Sequence, residues 1–362
     1  MTGTSAAPMP EELNPRRIAR RLAQIAIAVA VVVAVVVLGP GLGDLRHQLS
    51  RAAPGWLAAG VGLEVLSALS YVIVFRAVFC QRMSWKLSYQ IGMSEQAANS
   101  VLSVSGAGGL ALGAWALHRG GMSTEYIGRR TVAFFFLTSL ANVGGVIVFA
   151  LLYAVGVLSN DPNAVLTYGF GAAALAATAI VLALPMVLAR DPAALRRSSE
   201  GSGRVARGLR YVRYTLGQGI RDAVQLLRQR SIGVLVGAVG TMVFDIAVLG
   251  VSFRALGYSP ALGVLVMGYL IGQLGGNIPI PGGIGGLDGG LIGVFALYHQ
   301  PLAVAAGAVL IYHAISLWVP ALLGTVAFVQ LRRTLQREDQ PARMCAPMAE
   351  PIEVVQRPAL VS

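Results

Sequence analysis

Stretches of close to 20 residues with almost no charge recur along this chain of 362 residues, and nothing else in the sequence narrows its folding choices as much. A helix needs roughly 20 apolar residues to cross the hydrocarbon core of a bilayer. Inside lipid, every backbone N–H and C=O has to be paired within protein, which favours helices. Such runs lie at about 20–39, 55–79, 131–158, 164–189, 231–256 and 302–330. A soluble chain of this length would divide into two or three domains. Here the expected unit is one helical bundle surrounded by lipid. Composition agrees: 56% of residues are apolar and 12% charged, with a mean hydropathy of +0.68. Soluble domains are about one-quarter charged.

The first run, Leu22 to Leu38, follows Arg16, Arg17, Arg20 and Arg21, the flank of a signal peptide. It is longer than a signal core and no small-x-small cleavage site follows, so a retained span is expected. Residues 1–19, with Pro8, Pro10 and Pro15, read as a disordered cytoplasmic amino terminus. Residues 20–335 read as the integral membrane domain: a first half at 20–189, a basic linker at 190–230 and a second half at 231–335. Residues 336–362 read as a disordered cytoplasmic tail.

Two further apolar stretches are interrupted. Residues 87–119 break at Ser103–Gly109, and residues 260–299 break at Asn277–Gly286. If both are re-entrant or broken hairpins, the chain has about six full spans, and basic residues then sort sharply. Twenty-four fall on the side of the termini and three, Arg46, Arg51 and Arg254, on the other. The positive-inside rule makes the first side cytoplasmic. Two short crossings per stretch would give ten spans, and a mixed arrangement eight, with the same sidedness.

The interrupted stretches resemble each other. The first carries Asn99, then Ser103, Ser105, Gly106, Gly108, Gly109 and Leu110. The second carries Asn277, Pro279, Pro281, Gly282, Gly283, Gly285, Gly286, Leu287 and Asp288. Both place an Asn before small residues, then Gly-Gly-Leu, then an apolar helical run. One hairpin would enter from the cytoplasm and the other from outside, the inverted repeat of many transporters. Pro279 and Pro281 remove backbone donors and fix φ, so no regular helix continues through them. The four glycines let the chain turn and let another group approach its backbone. Broken backbone at membrane depth survives only inside protein or beside a water-filled cavity. The helix starting near Gly286 would aim its amino end, which favours an anion such as a lipid phosphate, into that cavity. The alternative is that the glycines serve close helix packing, as small residues do in membranes.

Ionisable groups in apolar runs are costly, at least ~2.5 kcal/mol for Asp at a helix centre. Asp245 lies mid-span, and Asp288 in the first turn of the second half-helix. Asp288 suits either the helix dipole or contact with a cationic headgroup or coupling proton. Glu95 and Asn99 share one face of the first hairpin's leading helix. Glu64 and Arg76 sit in the second span, too far apart to pair, and Tyr312 and His313 in the last. Structural pairing and transport chemistry both account for any one of these. Together they predict a polar interior.

Between Arg204 and Arg228, Val205, Leu209, Val212, Leu216, Ile220, Ala223 and Leu227 recur at helical steps, with Arg207, Arg210, Arg221 and Arg228 opposite. That pattern predicts an amphipathic helix lying in the membrane interface, its arginines toward anionic lipid. Packing on the inner end of the bundle is the alternative. The net charge of +12 does not point to nucleic acid, because no basic stretch is interleaved with stacking aromatics. Cys80 and Cys345 suggest neither a disulfide framework nor a Cys-based metal site. The four histidines show no metal spacing, and no P-loop is present.

The run from Pro281 to Asp288, followed by an apolar segment and a final span, resembles the flippase-like transmembrane domain of lysylphosphatidylglycerol synthases. The resemblance covers roughly residues 20–335. The family usually has Glu where Asp288 stands, and commonly a Pro after the Asn of the first tract, where this chain has Ser103 and Ser105. The resemblance implies a bacterial plasma-membrane protein translocating a phospholipid or polyprenyl-linked lipid. It does not imply synthesis, since lysyl transfer needs a separate soluble domain. The expectation is a non-enzyme without cofactor. Its substrate contacts would come from Asn277, Pro279, Pro281, Gly282, Gly283, Gly285, Gly286 and Asp288. Glu95, Asn99, Gly108, Gly109, Asp245 and His313 would add polar lining. The alternatives are an accessory subunit of a cell-envelope lipid or glycan synthesis system, and a small-solute secondary transporter. Oligomeric state is not legible.

Overall fold

A computed structural model of the chain describes residues 43–102, 107–158, 163–188, 204–273 and 286–337. The expected first span at 20–39, the expected disordered amino terminus, the expected disordered tail beyond Arg337 and the tract from Asn277 to Gly285 lie outside them; Gln336 and Arg337, placed in that tail by the sequence reading, belong to the last helix. The described residues are helical, with no strand among them. In chain order the helices are α1 (Gly43–Ser50), α2 (Pro54–Phe79), α3 (Trp85–Leu102), α4 (Ala107–Arg119), α5 (Thr124–Ala154) and α6 (Ala164–Leu188). Then follow α7 (Arg204–Arg228), α8 (Ile232–Ala255), α9 (Leu262–Gly272), α10 (Gly286–Leu297) and α11 (Leu302–Arg337). Four of them, α2, α5, α8 and α11, are long and apolar enough to cross a membrane. The chain is a polytopic helical membrane protein.

The central seam joins α2 to α8. Gly233 faces Ala77, Gly237 faces Val74 and Gly240 faces Ser70, while Gly60 lies beside Val251. Rising numbers on one helix meet falling numbers on the other, so the two run antiparallel along their whole length. Buried apolar area does not drive this contact in lipid, where the surroundings are equally apolar. Close approach of backbones over small residues does. At one end Arg254 stacks on Trp56 at 5.3 Å; at the other Arg76 stacks on Trp85 at 4.4 Å. Trp and Arg are residues of the water–lipid boundary. From Trp56 to Arg76 is roughly 20 residues, hence about 30 Å of helix, the thickness of the hydrocarbon core. Ser67 sits halfway.

Each seam helix is followed by a helical hairpin and then a long helix. In the first hairpin Asn99 faces Gly109 and Glu95 faces Gly113, so α3 and α4 are antiparallel. The Tyr126 hydroxyl, at the start of α5, donates to the Phe79 carbonyl at the end of α2. The chain therefore leaves and returns at one end of the bundle. In the second hairpin Gly272 faces Leu291 and Gly268 faces Phe295, so α9 and α10 are antiparallel. The Tyr258 hydroxyl, just after α8, donates to Gln300, just before α11, at 2.8 Å. This hairpin also returns to the end it left. Because α2 and α8 are antiparallel, the two hairpins open at opposite ends, and the halves are inverted. The arms α9 and α10, with 11 and 12 residues, are about 16–18 Å long.

The long helices close the bundle crosswise: α11 packs on α3 of the first half and α5 on α9 of the second. Gly324 of α11 abuts Met93 and Ala97; Gly145 of α5 abuts Leu270, and Tyr153 abuts Gly263. Two large apolar cores result, with a small third cluster of Ala68, Val72, Met93 and Ala327. One gathers Phe75, Phe79, Phe134, Leu112 and Leu331 around the first hairpin. The other gathers Leu249, Phe253, Leu291, Phe295 and Val309 around the second.

The helix α7 has the boundaries its pattern predicted, but docks by a partly different face. Thr215, Gly219, Asp222 and Leu226 are buried, with Gly219 against Val132 of α5. Arg129 of α5 donates to both oxygens of Asp222, at 2.9 and 3.1 Å from one nitrogen and 3.3 Å from Nε. Ile220 and Ala223 of the predicted apolar stripe are buried, whereas Val212, Leu216 and Leu227 stay exposed. The helix is thus both docked on the bundle and left with an uncovered aliphatic edge. Arg221 and Arg228 are exposed; the side chains of Arg207 and Arg210 lie outside the described residues.

Candidate functional site

Between the two apolar cores lies a layer of polar side chains, at the depth of Ser67. It begins on α2, where Glu64, Ser67 and Tyr71 occupy one stripe at helical spacing. The Ser67 hydroxyl donates to Asp245 Oδ1 at 2.6 Å, joining residues 178 apart in sequence. The Tyr269 hydroxyl of α9 donates to Asp245 Oδ2 at 3.1 Å. Asp245 is therefore not a lone charge in a span: both oxygens accept a hydroxyl hydrogen. Glu64, one turn before Ser67 on the same stripe, is carried by the antiparallel register to the neighbourhood of this carboxylate. It is 4% exposed, and its Oε2 has no hydrogen-bond partner among the described residues. Behind Tyr269 stands Tyr312 of α11, with ring centroids 6.2 Å apart and nearly perpendicular. Gln273, at the end of α9, stands on the same side of the layer.

The next residue on α11 opens the second group. His313 Nδ1 lies 2.9 Å from Asp288 Oδ1. Asp288 sits in the first turn of α10 and is 8% exposed. A carboxylate partner places the hydrogen on Nδ1 and turns Nε2 outward. That Nε2 is buried and has no partner among the described residues. The sequence put both residues among the candidates but gave no reason to pair them.

The third group belongs to the first hairpin. The Asn99 side-chain oxygen accepts from the Gly109 backbone N–H at 3.0 Å. Asn99 thus caps α4 from the neighbouring helix, satisfying one of the amides that a helix start leaves unpaired. Its role here is structural, and the glycine at 109 leaves room for it. One turn earlier, Glu95 lies against Gly113, with Oε2 unpartnered among the described residues. Gly108 is buried in the first turn of α4.

Of the expected site residues, Asp288 and His313 come together directly, as do Asn99 and Gly109. Asp245 belongs to a set whose other members, Ser67 and Tyr269, the sequence reading missed. Glu95 does not meet Asp245; Tyr71, one turn from Ser67, stands between them. Glu64 and Arg76 do not pair, as expected: Arg76 Nε donates to the Met83 carbonyl at 2.7 Å. Asn277, Pro279, Pro281, Gly282, Gly283 and Gly285 lie outside the described residues, and Gly286 begins α10. The four-residue step from Gly233 to Gly237 is the signal that could have exposed the seam. Register along that seam would then have set Ser67 opposite Asp245.

Among the described residues, no group of three or more His, Cys, Asp or Glu could hold a metal ion. The site can exchange hydrogen bonds and protons. It also holds the start of α10 and the imidazole of His313.

The comparisons with curated proteins and with solved structures return no match. The family model described as the lysylphosphatidylglycerol synthase TM region matches residues 21–324. That stretch takes in the central seam, both hairpins and the layer between them. By that match and this architecture, the chain belongs to the lysylphosphatidylglycerol synthase TM region family.

Proposed function

We propose that this membrane protein moves a phosphate-bearing lipid, a phospholipid or a polyprenyl-linked lipid, between the leaflets of a bacterial plasma membrane. Both hairpins are taken as re-entrant and both termini as cytoplasmic, on the strength of the short arms α9 and α10 and the basic asymmetry. The observation that carries the reading is His313: its Nδ1 is held by Asp288 at the amino end of α10, and its Nε2 is buried without a partner among the described residues. A buried ring nitrogen left unpaired costs about 1–3 kcal/mol. A headgroup phosphate would pair with it, donating its own acidic hydrogen to Nε2 when the ring carries hydrogen on Nδ1 alone or accepting from Nε2–H when the ring carries both, and would also lie at the amides that begin α10. Glycines 282, 283, 285 and 286 would let the headgroup reach the backbone. Glu95 and Asp245 would line the route. The exposed arginines Arg221 and Arg228, with Arg207 and Arg210, would hold anionic lipid at the cytoplasmic surface. On this reading the chain is a carrier: it makes and breaks no bond in its substrate and needs no cofactor.

The test is leaflet exchange in reconstituted liposomes, with labelled anionic and aminoacylated lipids. Exchange should exceed that of empty vesicles, and His313→Ala should lower it about tenfold, the weight of one lost hydrogen bond to a charged group. No acceleration over a broad lipid panel would set the proposal aside.

A further inference from the structure

We infer that Glu64 and Asp245 form a proton-binding site in the middle of the membrane, holding one exchangeable proton between two carboxyl groups contributed by the two inverted halves. The inference rests on the translocation reading for its purpose, but not for its existence.

The geometry is specific. Asp245 is on α8 and Glu64 on α2, at the level where the seam is halfway between its Trp–Arg ends. Asp245 already accepts from Ser67 and Tyr269. Glu64, 4% exposed, lies one turn from Ser67 on the stripe of α2 that meets Asp245, with its Oε2 unpartnered among the described residues. Two carboxylates in one neighbourhood with little solvent cannot both ionise cheaply, because each opposes the other's charge and burial disfavours both. A shared proton resolves both difficulties, with Glu64 supplying the donor.

The groups packed around the pair do not offer a competing charge. From α9 comes Tyr269, and from α11 Tyr312, both neutral donors. From α3 comes Glu95, a further acid, which lies against Gly113 of α4. His313 of α11 is turned to Asp288. The long helix α5 has its charges, Glu125, Arg129 and Arg130, in its first two turns, far from this level. On the seam helices themselves, Arg76 and Arg254 stand at opposite ends, each over a tryptophan. No cation among the described residues neutralises the pair.

The chemistry is one O–H bond formed and broken. A proton from water on one side protonates a carboxyl of the pair, and the same bond breaks to release it to water on the other. The link to cargo runs through α11. The Tyr312 ring packs edge-on against Tyr269, which donates to Asp245, and the adjacent His313 reaches Asp288. A shift of α11 that engages a headgroup at His313 therefore changes the donors around Asp245. Differential contacts of this kind are what coupling requires.

The experiment uses the full-length protein in liposomes with two readouts. Infrared difference spectroscopy across a pH titration reads the carboxylic-acid carbonyl stretch, whether or not lipid moves. Leaflet exchange and internal pH are then followed under an imposed pH gradient. The expected result is an acid carbonyl band that titrates in the wild type and is lost in both Glu64→Gln and Asp245→Asn. A pH gradient should speed exchange about tenfold, and either variant should abolish that gain. Should one variant fail to fold, the other and the wild-type titration still decide. Absence of a titrating acid band, or a band that persists in both variants, overturns the site. So does exchange that follows a sodium gradient and ignores pH. A band with the expected behaviour but no lipid exchange leaves the proton site standing and defeats the lipid reading alone.

Discussion

Asn99 on α3 accepts a hydrogen bond from the Gly109 amide on α4 at 3.0 Å, so the first hairpin is fastened at its narrow end by a side chain from the opposite arm. The bond does the work of a helix cap, although Asn99 lies 10 residues from its partner.

Asn99→Ala is therefore expected to destabilise the protein by about 1 kcal/mol, the usual cost of losing a cap. Asn99→Asp keeps an acceptor and should recover most of it. Thermal unfolding in detergent compares the three. An unchanged melting temperature for the alanine variant would remove Asn99 from the cap.

The seam gives a sharper contrast. A Cβ at Gly237 would lie 2.5 Å from the Val74 backbone nitrogen, whereas one at Gly144 of α5 meets nothing within 4 Å. Gly237→Ala should cost about 1–3 kcal/mol through overpacking against backbone that cannot yield. Gly144→Ala should be neutral or slightly stabilising, since alanine suits a helix better. The same unfolding assay ranks them, and equal values for the pair would argue against the antiparallel packing.

At the docking of α7, Arg129 grips Asp222 with two nitrogens, and the side chains are 28% and 11% exposed. Asp222→Asn should loosen α7 by about 1–2 kcal/mol, below the cost of a fully buried pair because water screens the arginine. Arg129→Lys should not restore the fork, as an ammonium lacks its planar geometry. Limited proteolysis at the ends of α7 measures the effect, and faster cleavage in both variants is the expected outcome.

Ser67 presents the mid-membrane case. Ser67→Ala removes the donor to Asp245 Oδ1 and leaves a buried acceptor bare, for about 1–3 kcal/mol. Ser67→Thr retains the hydroxyl and should cost less. A reversed order between the two, in the unfolding assay, would contradict the bond.

Much of this architecture is legible from the residues because lipid imposes a simple grammar. Helix boundaries follow from apolar length: the expected span at 55–79 is α2 at Pro54–Phe79, and the one at 231–256 is α8 at Ile232–Ala255. One break is legible in the same way: α9 ends at Gly272, a few residues before the proline-glycine tract that begins at Asn277. Pairings are less legible. Asp245 announces itself as an acid in an apolar run, but its partners come from other helices and depend on register. Ser67 and Tyr269 look like ordinary span residues until antiparallel packing brings them to Asp245. The docked face of α7 was partly hidden for a related reason: Thr215 and Asp222 are polar residues that the bundle buries beside Ile220 and Ala223, so an apolar stripe alone marks only part of it.

The seam also has a history in time. Ser67 and Asp245 are 178 residues apart, and ribosomes add about 5–20 residues per second. Once α2 has emerged, on the order of 10–40 s pass before its mate exists, and for that interval a newborn half-protein waits in the bilayer with Glu64 and Ser67 unmatched. Whatever shelters those groups meanwhile, whether insertase, neighbouring lipid or a temporary companion helix, is as much a requirement of this design as the finished bundle.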